Sequence, residues 1–263
     1  MSRSKFFVRI KFAGSDVRKV AFGSISNRGA RNYQEDSFGF SSIEKENVKK
    51  NGFTAVVADG MGGLSGGDRI SAYVVSAMLE MQMRRNADLP VHIHLANSLK
   101  TINDGVLSSG IKGGSTAAAV TCLPNGVYWC TAGDSRVYLF RDGRLTALNE
   151  DSDYMNDLIE QVISGDMTFA EANENAKKDA LAGYIGYKGG ISPDGNPKPF
   201  VPQINDKLLI CTDGVYNALT EEELTESLSF EASEAAQVIE NRVLAKGYSN
   251  QDNFTAVVLE FVR

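Results

Sequence analysis

Val56-Val57-Ala58-Asp59-Gly60-Met61-Gly62-Gly63-Leu64-Ser65-Gly66-Gly67-Asp68-Arg69-Ile70-Ser71 is the stretch around which the chain is organised. A short β-branched run ends in one carboxylate, Asp59. A glycine-rich loop follows, and then an apolar pattern with helical spacing. Glycine tolerates positive φ and lets the backbone approach a ligand closely. An acid at the end of a buried strand is therefore presented beside reachable carbonyls and N–H groups. That arrangement suits a hard cation, which takes carboxylate, carbonyl and water oxygens together. A lone Asp-Gly turn is ordinarily only a solvated turn, but the device returns at Gly133-Asp134 and Asp213-Gly214, each after an apolar strand-like run.

Working outward, the chain of 263 residues is 43% hydrophobic and 23% charged, a globular composition with ample material for a core. Its net charge is −6, and Lys and Arg nowhere form a long run, which argues against a nucleic-acid surface. Cys122, Cys130 and Cys211 lie in apolar runs without metal-ligand spacing and read as reduced, buried thiols. Charges interrupt the apolar residues near the N-terminus, so neither a signal peptide nor a membrane span is expected. A cytoplasmic protein follows.

Strands are expected at 6–12, 20–25, 53–58, 127–132, 207–212 and 256–261, with a hairpin turning at Asp142-Gly143. After Asp59, Ile70, Val74, Ala77, Met78 and Met81 share a helical face, and Leu95, Leu99, Ile102 and Val106 form a second stripe after Pro90. His92 and His94, the only histidines, have no acid or Cys beside them and read as the start of that second helix. Met155, Leu158, Ile159, Val162 and Ile163 suggest a compact helix, stopped by Gly165. Thr168-x-x-Glu171 and Thr220-x-x-Glu223 are capping boxes, the latter stapled by Leu219 and Leu224. Ser233 is expected to cap the helix that runs to Lys246. Residues 189–202 hold four of the six prolines and read as irregular. The whole segment 146–203 is expected to be a small helical flap inserted between strands of one domain spanning 1–263.

The acids Glu35, Asp36, Asp59, Asp134, Asp213 and Asp252 each sit beside a glycine or polar turn at the edge of an apolar strand. Neighbouring strands would gather them at one end of a sheet assembly, where like charges destabilise the fold unless cations neutralise them. Carboxylates without His or Cys select Mg²⁺, Mn²⁺ or Ca²⁺ over zinc. A two-metal cluster can activate water and stabilise in-line attack on phosphorus. Arg31, close before Glu35, suits bidentate recognition of phosphate. Residue types and spacing thus point to metal-dependent hydrolysis of a phosphate ester.

The set Arg31-x-x-x-Glu35-Asp36, Asp59-Gly60-Met61-Gly62-Gly63, Gly114-Ser115-Thr116-Ala117, Gly133-Asp134-Ser135-Arg136, Thr212-Asp213-Gly214 and Asp252-Asn253-Phe254-Thr255 resembles the type 2C metal-dependent protein serine/threonine phosphatases, closest to their bacterial branch. Each motif alone is weak, but six in order from about residue 20 onward are specific. The resemblance implies an α+β fold, a four-layer α/β/β/α sandwich of two antiparallel sheets flanked by helices, with the metal cluster at one edge. It implies that Asp59 bridges two Mn²⁺ or Mg²⁺ ions, that Glu35 and the Gly60 carbonyl complete one, and that Asp213 and Asp252 complete the other. Asp36 would orient the water that the ions activate, Arg31 would hold the substrate phosphate, and Asp134 with Asp213 would serve a third ion. The partners implied are phosphorylated proteins, substrates of a serine/threonine kinase, met by a monomer. Met61 stands where many eukaryotic relatives have a proton-donating histidine, and the flap near Asp151-Ser152 lacks a histidine common in bacterial ones. Two rivals are a pseudophosphatase, which should have lost metal carboxylates that are all present here, and a metal-dependent nuclease or phosphodiesterase, which the acidic balance opposes.

Overall fold

The computed structural model describes residues 6–62, 66–152, 154–176, 178 and 181–263, with the backbone alone for residues 156, 157 and 160. Gly63, Leu64 and Ser65 of the glycine loop lie outside the described residues.

Two antiparallel sheets carry the fold. One joins β1 (Phe7–Arg9), β2 (Lys19–Asn27), β13 (Phe254–Val262), β12 (Lys207–Cys211), β9 (Arg136–Arg141) and β10 (Arg144–Ala147), in that spatial order. The other joins β11 (Asp194–Gly195), β8 (Gly126–Ala132), β7 (Ala117–Leu123), β4 (Phe53–Ala58) and β3 (Ser37–Phe40). A two-stranded ribbon, β5 (Gly60–Met61) with β6 (Gly114–Ser115), extends the catalytic-looking loop. The helices are α1 (Lys45–Asn51), α2 (Gly67–Met83), α3 (Val91–Ser109), α4 (Tyr154–Ser164), α5 (Phe169–Glu174), α6 (Asp213–Tyr216), α7 (Glu221–Ser227) and α8 (Ala232–Ala245).

Strand alternation builds the layers. On β13, Val257, Leu259 and Phe261 enter the core between the sheets, while Phe254, Ala256 and Val258 meet the helices α6 and α8 on the other face. On β4, Ala55 and Val57 face the inter-sheet core, and Val56 and Ala58 face α2 and α3. Because both faces of these strands are covered, their sequences are near-continuous apolar runs, broken only at Thr54, Thr255 and Glu260, and not alternating ones. The stripes read from the sequence close the outer layers: Ile70, Val74 and Met78 of α2 and Leu95, Leu99, Ile102 and Val106 of α3 are all buried. The expected four-layer α/β/β/α sandwich is what forms.

Five local readings change. The first strand is only Phe7–Arg9, shorter than 6–12. Glu231, not Ser233, is the residue before α8, and it makes no side-chain cap. The segment 146–203 begins within the sheet, because Arg144–Ala147 is the edge strand β10. Its proline-rich end is also not wholly irregular: Asp194–Gly195 pairs with Cys130–Thr131, and Phe200 bridges Val127. Backbone pairing to a free sheet edge overrides the turn chemistry of that stretch. Within α4, Leu158 is buried but Ile163 is 80% exposed, so only part of the expected apolar face is covered.

Candidate metal and phosphate site

Register brings the acids together. Ser37 pairs with Ala58, Ala117 with Ala132, Cys211 with Ala256 and with Arg136, and Phe254 with Asn27. The start of β3, the ends of β4, β8 and β12 and the start of β13 therefore lie at one end of the sandwich. These are the positions next to Asp36, Asp59, Asp134, Asp213 and Asp252.

Each acid is held by its backbone and neighbours. The Asp59 N–H donates to the Thr116 hydroxyl at 2.9 Å, and its carbonyl accepts from the Thr116 N–H at 2.8 Å. Gly60 N–H donates to the Glu35 carbonyl at 3.2 Å. A Cβ on Gly60 would meet that carbonyl oxygen at 2.6 Å and run into the Gly67 carbonyl, so only glycine lets the three backbones converge here. The Thr212 hydroxyl donates to Asp36 Oδ2 at 2.9 Å. The Glu35 N–H donates to Asn253 Oδ1 at 2.8 Å, while the Asn253 amide donates to the carbonyls of Arg28 and Tyr33. Asn253 thus clamps the Arg31–Glu35 turn against Asp252. Asn253, Thr116 and Thr212 escaped the chemical reading of the sequence; their signal was only that each adjoins or occupies one of the quoted motifs.

Electrostatics mark the cluster as unfinished. Burial, then the charges of Asp36, Asp213, Asp134 and Asp252, push the Asp59 carboxyl up to about 10. Asp36 is pushed up to about 7, by burial first, against the hydrogen bonds from Thr255 and Thr212. Asp134 is pushed up to about 6 by burial and by Asp213 and Asp151. Asp213 is raised by burial and by Asp252, with a hydrogen bond to Asp59 and the Arg31 charge working the other way. Arg31 stands at the rim, its Nη2 2.5 Å from Asp252 Oδ2.

The donor set fits a divalent cation. It is all oxygen, and among the described residues Asp36 Oδ1 and Asp213 Oδ1 are buried without a hydrogen-bond partner, a costly condition for a carboxylate unless a cation meets it. Among the described residues, no three His, Cys, Asp or Glu side chains stand as a ready-made metal-holding group. Asp252 is turned onto Arg31, and Asp213 shares hydrogen bonds with Asp59 and Asn217. Every site residue read from the sequence lies at this end of the molecule. His94 does not: on α3, it meets the Met81 backbone and Arg85.

A sequence model of the family described as Protein phosphatase 2C matches residues 26–247. The serine/threonine phosphatase stp of Listeria innocua is 28% identical over 242 residues, 88% of this chain and 91% of that protein. The serine/threonine protein phosphatase PstP of Mycobacterium tuberculosis is 27% identical over 218 residues, 78% of this chain and 40% of that longer protein. Among solved structures, the Streptococcus agalactiae serine/threonine phosphatase superposes with a TM-score of 0.74 at 22% identity, covering 93% of this chain and all 100% of the other. The catalytic domain of PstP, solved with 2 manganese ions, gives 0.69 at 23% identity over 93% of this chain and 99% of that one. With the family match running from the second strand to the end of the last helix, the chain belongs to the protein phosphatase 2C family.

Proposed function

We propose that this phosphatase hydrolyses phosphoserine and phosphothreonine in proteins by direct attack of water on phosphorus. Divalent ions, when bound, supply Lewis-acid charge and lower the cost of deprotonating the attacking water. Glu35, Asp59, the Gly60 carbonyl, Asp213 and Asp252 would hold a pair of such ions, Mn²⁺ or Mg²⁺, and Asp134 with Asp213 a third. Asp36 Oδ1 would accept a hydrogen bond from the attacking water and orient it, its other oxygen being held by Thr212. Arg31 would leave Asp252 for the substrate phosphate and bind two of its oxygens. The P–O bond to the serine oxygen breaks, inorganic phosphate leaves, and the serine oxygen takes its proton from solvent, since Met61 has none to give.

The observation that carries this reading is the end-on cluster of raised carboxyls, with Asp36 Oδ1 and Asp213 Oδ1 buried and without a partner among the described residues. We further assign the chain one phosphatase domain over 1–263, monomeric action in the cytoplasm, and substrates made by a serine/threonine kinase. Among the described residues, no helix is long and apolar enough to cross a membrane. The test is hydrolysis of a phosphoserine peptide with and without Mn²⁺, beside calorimetric Mn²⁺ titration of wild type and Asp59→Asn. Metal-dependent release of phosphate, with activity and tight Mn²⁺ binding both lost in the variant, is expected. More than about a tenth of wild-type activity in Asp59→Asn, on the scale of a lost charged contact, would refute the bridging role.

A further inference from the structure

A groove of about 950 Å³ opens beside the metal loop, between Met61 and Gly62 on one wall and Tyr184 and Tyr187 of the flap's far end on the other. It is tied to the site by backbone. Gly60 pairs with Ser115 across the β5–β6 ribbon, and Ser115 exchanges two hydrogen bonds with Ile185 at 2.9 and 2.8 Å. The Asn103 side chain adds a third anchor, accepting from the Gly186 N–H at 2.7 Å. Glycine makes the approach possible: a Cβ on Gly114 would meet the Tyr184 ring at 2.5 Å, and one on Gly113 would meet the Met61 carbonyl oxygen at 2.6 Å. Met61 is two residues beyond Asp59, so the groove begins about 7 Å of extended chain from the bridging carboxylate.

The charge of the groove is opposite to that of the molecule. The chain carries −6, yet the only charged residues lining the groove among those described are Lys112 and Lys188. Both are exposed, and neither makes an ion pair with a described residue. One lysine comes from the core side, after α3, and the other from the flap side. A chain lying between them would present its side chains to both.

We propose that this groove receives the polypeptide flanking the phosphorylated residue, and that Lys112 and Lys188 select substrates with Asp or Glu a few positions from the phosphoserine. The assignment rests on the hydrolytic reading above and adds to it a substrate class. The tyrosine pair, with ring centroids 5.3 Å apart, supplies a stiff wall against which such a segment can lie. The lysines supply sign discrimination, because an acidic flank elsewhere on this surface would meet net repulsion.

The experiment compares kcat/KM on an aryl phosphate, a phosphoserine peptide with neutral flanks and the same peptide with Asp and Glu flanks. Wild type should prefer the acidic peptide, and the preference should shrink as salt rises. Lys112→Glu/Lys188→Glu should lose about tenfold on the acidic peptide, change little on aryl phosphate, and gain on a peptide with Lys flanks. The unchanged aryl phosphate rate shows that the variant is folded. Equal wild-type rates on both peptides, or an acidic preference that survives the double reversal, would overturn the groove assignment and leave the hydrolase reading standing. A wild type inert toward all three substrates with Mn²⁺ present would overturn both.

Discussion

Arg31 and Asp252 meet across 221 positions of sequence, 2.5 Å apart, and the pair joins the two functions proposed at this site. The guanidinium that would hold phosphate neutralises a carboxylate that would hold metal, so on this proposal Arg31 would exchange partners as the site fills. Arg31→Ala should remove one charge-assisted phosphate contact, lowering kcat/KM by about 10- to 100-fold. Phosphopeptide and aryl phosphate should suffer alike, and unchanged values for both would mean the residue is structural. Met61 makes a second residue-level prediction. It lies two positions from Asp59, faces the groove and has no proton to donate. Both histidines belong to α3, where His94 is lodged against α2. A serine alkoxide needs a proton as it leaves, and a nitrophenolate does not. Rates should therefore depend steeply on leaving-group pKa, and His92→Ala/His94→Ala should leave both substrates unaffected. A loss confined to the phosphopeptide would show that a histidine supplies the proton.

At the scale of elements, α7 shows how local sequence can be sufficient. Thr220 accepts from the Glu223 N–H at 3.3 Å, the Glu223 carboxylate accepts from the Thr220 N–H at 3.0 Å, and Leu219 and Leu224 are both buried beside them. Glu223 also receives the Lys246 ammonium from the end of α8, at 2.7 Å. Thr220→Ala should lower stability by about 1 kcal/mol, a fall in Tm of roughly 2–4 °C for a chain of this size. Activity at low temperature should not change, because α7 lies against the outer face of the six-stranded sheet. A variant that melts like wild type would show the box to be idle. The proline-rich stretch before β12 is the opposite case. Its residues announce turns, but Asn196 accepts from the Trp129 N–H at 2.8 Å and donates to the Val127 carbonyl at 3.0 Å, drawing the segment onto the edge of β8.

For the whole molecule, the cluster ties both the stability of the metal-free protein and its response to divalent ions to pH, in opposite directions. The Asp36 and Asp134 carboxyls ionise near pH 3.8 when exposed, but at about 7 and about 6 in the fold, and Asp59 at about 10. Below pH 3.8 both folded and unfolded chains hold these protons, and the groups contribute nothing. Above it the unfolded chain releases protons that the folded one keeps, so the metal-free protein loses stability as pH rises through this window. Divalent ions require the ionised carboxylates, so their stabilisation grows over the same range. The rise in Tm on adding Mg²⁺ should be small at pH 5 and larger at pH 8. An equal rise at both pH values would mean that these acids do not share one site.

What the sequence by itself determined is therefore large. The helical stripes, both capping boxes, most strands and the family could be read from residue types, spacing and motif order, as could the acids Asp36, Asp59, Asp134, Asp213 and Asp252, though not Asp151 beside Asp134. Those features depend on interactions a few residues long, or on patterns repeated along one element. The tertiary structure alone decided the rest. Strand register set which acids lie side by side, and burial set how far each carboxyl is raised. The clamp of Asn253 on the Glu35 turn spans 218 residues, and Arg31 finds Asp252 across a similar distance. The groove with its two lysines likewise exists only because Ile185 pairs with Ser115, a bond between segments 70 residues apart. No periodicity along the chain encodes such contacts, because their geometry arises from the packing of two sheets whose neighbours in space are distant in sequence.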